Sequence, residues 1–161
     1  MVFRVPRMDE RESDAWLGLI AVSQLLPAAL DSQLQKDAHL THFEFMVLTS
    51  LRFAPENTLR MTELAASTNA TLPRLSHVCT RLATRGIVDR LPSAEDKRAT
   101  NVRLTAEGRR QLIRAMPGHI ETARQLVIDA LTPSQLESLA EITRAITERL
   151  TDGEHRSPVP R

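Results

Sequence analysis

Tyrosine is absent from this chain and cysteine occurs once, as Cys79. A lone thiol cannot close an internal disulfide, so the fold has to rest on its core, in keeping with a reducing compartment. No uninterrupted apolar run reaches the roughly 18 residues of a membrane span, so none is expected. The opening residues, MVFRVPRMDERESDAW, hold no apolar stretch of signal-peptide length, and a cytoplasmic location is the expectation. Also missing are a nucleophile elbow, a phosphate-binding P-loop, a metalloprotease helix and a dinucleotide fingerprint. An enzymatic reading therefore has no residues to stand on, and no cofactor is expected. His39, His42 and His119 are scattered without a nearby ligand set, so packing, capping or exposure is expected of them rather than metal binding.

Net charge is equally slight, +1 over 161 residues, which alone argues against a nucleic-acid binder. Its distribution points the other way. Residues 71–114 hold ten Lys/Arg and four Asp/Glu, a local charge of +6, and the remainder carries −5. Basic charge gathered into one contiguous third is the footprint of a DNA-reading surface. Judged by charge alone, a plain solvated basic face explains it equally well.

What is present is mostly helix signal. Residues 10–36 carry Trp16, Leu17, Leu19, Ile20, Val22, Leu25, Leu26, Leu30 and Leu34, a stripe wide enough to bury two faces. Pro27 is expected to kink that helix. Thr41 with Glu44 forms a capping box for a helix through Phe53, which APEN (54–57) ends. A short extended piece, 58–60, precedes a short helix, 61–67. In TLPRLSHVCTRLATRG (71–86) Thr71 is placed as the cap, Pro73 in the first turn and Gly86 just past the end. Leu72, Leu75, Val78, Cys79 and Leu82 make one apolar stripe, and Pro73, His77, Thr80 and Thr84 lie opposite, flanked by Arg74 and Arg81. Cys79 is thus expected in the core.

IVDRL and ATNVRL then read as two strands joined by PSAEDKR, a hairpin with a long charged tip. Thr105 is placed as the cap of a following helix, with Gly108 tolerated in its first turns. MPGH (116–119) is expected to bend or interrupt it before it runs on to about residue 131. Thr132, Pro133 and Gln135 start a last helix, whose Leu136, Leu139, Ile142, Ile146 and Leu150 form a seam wanting a partner. The tail from 151 on is expected to be flexible.

Helix, tight turn, basic-faced helix and charged hairpin, with long apolar helices on both sides, is the order of a winged helix-turn-helix. The fold class expected is mainly α with a small β-hairpin wing. Residues 59–112, LRMTELAASTNATLPRLSHVCTRLATRGIVDRLPSAEDKRATNVRLTAEGRRQL, resemble the multiple-antibiotic-resistance-regulator (MarR) family of bacterial transcription factors. The specific part is the Asp-x-Arg of the wing, Asp96-Lys97-Arg98, followed by VRLTAEG (102–108). The likeness extends over roughly residues 10–150. It implies a homodimer on a palindromic operator, with 10–36 and 117–150 as dimerisation helices and 41–114 as the DNA-binding lobe of a single domain, 1–150. It also implies that Asp96 braces the wing and that Arg98 contacts backbone or minor groove, with Lys97 adding a phosphate contact.

Base reading falls to the exposed early half of helix 71–85. Arg74 is suited to guanine, Pro73 to a thymine methyl, and Thr71, Ser76 and His77 to bases or phosphates. Arg81 and Arg85 sit farther along the helix and are expected as phosphate or intradomain contacts, with Arg81 counted among the candidate DNA contacts. For a small aromatic or amphipathic effector, which the resemblance places between the first helices and the DNA-binding lobe, Trp16, His42, Phe45 and Met46 are the candidate lining; all four suit a core equally well. The expected function is a repressor released by such a ligand. A constitutive DNA-binding or architectural protein without effector, and a winged-helix protein-interaction module, are the alternatives.

Overall fold

A computed structural model describes residues 5–93 and 99–154, with side chains through Thr151. The elements in order are α1 (Glu10–Ala38), α2 (His42–Phe53), a 3-10 turn (Pro55–Asn57), β1 (Thr58–Arg60), α3 (Met61–Ser67), α4 (Leu72–Thr84), β2 (Val88–Pro92), β3 (Thr100–Leu104), α5 (Ala106–Ala123), a π-helical turn (Arg124–Ile128) and α6 (Pro133–Glu154). They fall into two compact units that divide between Thr122 and Ala123.

The first unit holds the core. Leu34, Leu40, Leu48, Leu51, Leu64, Leu75, Leu82, Ile87, Val102 and Leu112 are essentially inaccessible to solvent, so one apolar centre is fed by α1's last turns, α2, α3, α4, the sheet and α5. At roughly 1.5–3 kcal/mol per buried Leu or Ile side chain, this centre dominates the stability of the unit. The sheet is antiparallel in the order β1-β3-β2. The sequence predicts a hairpin; the extended piece 58–60 adds a third strand, because Leu59 faces Val102 across the ladder and shares its buried side.

Several starts and stops follow local chemistry. Asp9 caps α1 by accepting the Glu12 N–H at 2.9 Å, and Thr41 caps α2 by accepting that of Glu44 at 3.0 Å. Thr105 Oγ1 accepts the Gly108 N–H at 3.0 Å, and Thr132 with Gln135 makes a reciprocal cap for α6. α4 ends in a Schellman motif: the Gly86 N–H bonds Ala83 and the Ile87 N–H bonds Leu82, with Gly86 at φ +69°. Thr71 stands at the N-cap of α4 with extended backbone, but its side chain makes no capping bond.

Four local expectations change. α5 runs unbroken through Pro117, because that residue forfeits one backbone bond while Ala115 in the core and His119 against Phe45 hold the helix on either side. α1 is continuous through Pro27, the position where a kink is expected. Of α1's apolar residues only Leu30, Leu34 and Ala38 are buried within the chain; Trp16, Leu17, Leu19, Val22 and Leu25 are exposed. Although its apolar residues are interrupted, α1 is long and apolar enough to cross a membrane by length and composition. The backbone of α6 stays helical to Glu154, into the stretch expected to be flexible.

In the second unit, α6 follows the π turn. Leu139, Ile142, Ile146 and Leu150 are exposed along it, as the seam pattern anticipates.

Candidate nucleic-acid interface

α4 has three sides. Leu75, Val78, Cys79 and Leu82 enter the core; Leu72, expected in that stripe, is 46% exposed, because it sits in the first turn where the helix leaves its support. Pro73, His77, Thr80 and Thr84 form the outward side and are exposed, with Ser76 half-buried beside them. Between the two lies a row spaced seven and four residues apart, Arg74, Arg81 and Arg85, which leans on the first turn of α2.

In that row Arg81 and Arg85 take the intradomain option expected for them, and it is their partners that the sequence left open. The Arg74 guanidinium lies 4.2 Å from the ring centre of Phe43, a cation–π contact. Arg81 Nη2 donates to Glu44 Oε1 at 2.8 Å, and Arg85 Nη1 reaches the same oxygen at 3.4 Å. Arg85 Nη2 also donates to the His39 carbonyl at 2.8 Å. Glu44, read from sequence only as a helix cap, is 3% exposed and still accepts the Thr41 N–H through Oε2 at 2.8 Å. A helix cap is visible in a short motif; its pairing with residues 37 and 41 positions later is not.

β2 supplies a second basic group. Arg90 opposes Val102 in the ladder and shares the sheet face that packs on α4, where its Nη1 donates to Thr80 Oγ1 at 2.7 Å. Strand alternation is the signal that places it there. Together with Arg60, Thr62, Leu72, Pro73 and Ser76, Arg90 lines an open cleft of about 390 Å³ beside the start of α4. On the opposite sheet face Arg103 pairs with Asp89 at 2.8 Å. The wing tip residues Asp96, Lys97 and Arg98 lie outside the described residues.

The candidate effector residues differ in their surroundings. Phe45 is 5% exposed and part of the core, while Trp16 and Met46 are on open surface. None of the four lines the cleft beside α4 or the smaller hollow near Asp37 and Gln111. His42 and Phe45 do meet a partner that sequence reading left apart. The His119 ring stands 4.3 Å from Phe45 and 5.9 Å from His42, nearly stacked on the latter. Burial holds both imidazoles below their ordinary range; Asp31 partly offsets this at His42, and the nearby His42 deepens it at His119. Cys79 is fully buried, and burial pushes its thiol up to about 11 despite the opposing field of Arg90. That is an inert, packing cysteine.

A basic helix face beside a basic strand, on a three-stranded wing, matches what comparison with known proteins finds. The MarR family model matches residues 40–100. The HTH-type transcriptional repressor YetL of Bacillus subtilis is 30% identical over 112 residues, 70% of this chain; the match spans 66% of the repressor's own length, just under two thirds. Among solved structures, AbsC, a MarR family transcriptional regulator from Streptomyces coelicolor, superposes with a TM-score of 0.86 at 29% identity, covering 92% of this chain and 99% of that one. Sco3205, a MarR family transcriptional regulator from the same organism crystallised in complex with DNA, superposes with a TM-score of 0.85. At 42% identity across 89% of this chain and 93% of Sco3205, the likeness is one of sequence and fold together. This chain belongs to the MarR family of transcriptional regulators.

Proposed function

We propose that the chain is a homodimeric, cytoplasmic repressor that binds a palindromic operator and is released by a small aromatic or amphipathic ligand. The observation that carries the DNA reading is the outward side of α4. It presents Pro73, Ser76, His77 and Thr80 with no apolar cover, and Arg90 is tied to it from the neighbouring strand. An α-helix of this length fits the B-DNA major groove, about 12 Å wide, and its first turns meet base edges. Thr71, Pro73, Arg74, Ser76 and His77 are the proposed readers, and Lys97 and Arg98, with Asp96 bracing, the proposed wing contacts. The DNA complex of Sco3205 supports the assignment by likeness.

Dimerisation is proposed through the exposed apolar residues of α1 and of α6, which a second copy would cover. Two recognition helices would then sit about 34–36 Å apart, one turn of the duplex. The test is a fluorescence-anisotropy titration of the upstream intergenic DNA at rising salt, repeated with a panel of aromatic acids and amphipathic cations. Tight, salt-sensitive binding that at least one compound weakens is expected; no binding to any promoter fragment overturns the reading. A constitutive binder is the second reading. It is favoured by Phe45 filling the core. Unchanged affinity across the whole panel would select it.

A further inference from the structure

Two arginines of the proposed reading helix are turned toward α2, although both keep part of their surface in solvent. Arg81 and Arg85 converge on one oxygen of Glu44, at 2.8 and 3.4 Å, while the other oxygen caps α2 through the Thr41 N–H. Glu44 is 3% exposed, whereas the two arginine side chains are 48% and 34% exposed. The carboxylate is therefore the fixed member and the guanidiniums are the ones free to leave. Arg85 also grips the His39 carbonyl at the end of α1, so the network joins α1, α2 and the C-terminal half of α4. At the other end of the same row Arg74 rests on Phe43, the residue before Glu44.

We infer that Glu44 is a positioning residue for DNA reading: it commits Arg81 and Arg85 to the protein, anchors the pitch of α4 on α2, and leaves sequence contact to the first turns of the helix. The inference rests on the DNA-binding reading above and deepens it. Without the carboxylate, two like charges would sit together uncompensated at the edge of the DNA-facing surface. They would turn toward the nearest anions, the phosphates. Every additional phosphate neutralised steepens the dependence of log affinity on log salt by about 0.9, whatever the base sequence. Glu44 thus acts on specificity by withholding charge that would strengthen indiscriminate binding.

Glu44→Gln is the informative variant, because glutamine keeps the size and still serves as the partner of Thr41 in a capping box. On non-specific DNA its salt slope is expected to steepen by about one to two. Its ratio of operator to non-specific affinity is expected to fall about tenfold, in line with loss of about one good base contact. In Glu44→Gln combined with Arg81→Gln and Arg85→Gln the slope should return to the wild-type value while discrimination stays low. A purely structural role would lower stability, read by thermal melting, without moving the slope. Should Glu44→Gln not fold, Arg81→Gln and Arg85→Gln decide singly, since each leaves Glu44 one cationic partner. The inference expects each to keep the wild-type slope, and a slope shallower by about one would overturn it. Folded Glu44→Gln with wild-type slope and discrimination also overturns it. Failure of the wild-type protein to bind any DNA would instead overturn the DNA reading itself.

Discussion

At the scale of single residues, Gly108 shows how a tolerated residue becomes a required one. A Cβ built there clashes with the Ile87 carbonyl and comes within 2.7 Å of Leu104 Cδ1. The same carbonyl accepts the N–H of Thr105, so it cannot give way freely. Gly108→Ala is expected to destabilise by about 1–3 kcal/mol, the usual cost of overpacking, read from the urea midpoint. The histidine pair carries a pH dependence. Both imidazoles are depressed in the folded chain below the ordinary 6.5, so the unfolded chain binds more protons as pH falls below that value. Their contribution is intact above it and is lost as pH drops through the folded-state values. Denaturation midpoints should fall between about pH 7.5 and pH 5.5, and His119→Gln should flatten that fall; a steeper fall in the variant would contradict it. Cys79 should resist alkylation until the protein is unfolded, its thiol being both buried and raised to about 11.

At the scale of elements, α4 was largely legible. Its bounds come from Pro73 and Gly86, and its core stripe from the spacing of Leu75, Val78, Cys79 and Leu82, all of which are local signals. The partners of its arginines were not, because a helical wheel separates an outward arc from an inward one without saying which neighbour flanks the border. Arg81 lies on that border and is tied to Glu44; Arg74 lies on it too, against Phe43. Arg74→Ala is expected to weaken binding unequally across operator variants, by about 1–3 kcal/mol where a guanine is lost as partner. Lys97→Ala should weaken all sequences alike and reduce the salt slope by about one. Equal losses for both variants on every sequence would remove the base-reading role of Arg74. The extended piece 58–60 was legible but its place in the sheet was not, for a related reason: three residues are too few to show alternation, and β1 pairs because β3 offers it an edge.

At the scale of the whole molecule, the unanswered surface is apolar. Trp16, Leu19, Val22 and Leu25 on α1 stand 44%, 41%, 56% and 70% exposed, more contiguous apolar surface than a monomer in water usually leaves open. Val22→Glu with Leu25→Glu should shift sedimentation from dimer to monomer and weaken binding to the full palindrome by on the order of 100-fold, as the second half-site becomes independent. Because α1 also meets the length and composition of a membrane-crossing helix, the wild-type protein should be centrifuged without detergent, with vesicles added in a second run. A homogeneous dimer that ignores the vesicles is expected; co-sedimentation with them would assign α1 to a membrane instead.

From sequence alone came most of the helices, the caps at Thr41, Thr105 and Thr132, the stop at Gly86, the buried cysteine, the basic third of the chain and the likeness to the MarR family, since each rests on residues within a few positions of one another or on a contiguous motif. Tertiary structure alone decided that Glu44 holds Arg81 and Arg85, that His119 meets His42 and Phe45, that β1 completes the sheet, and that α5 passes Pro117 unbroken. Those outcomes depend on which surfaces the core brings face to face. Periodicity along a chain reports how a residue points relative to its own element, and carries no record of what will be standing opposite.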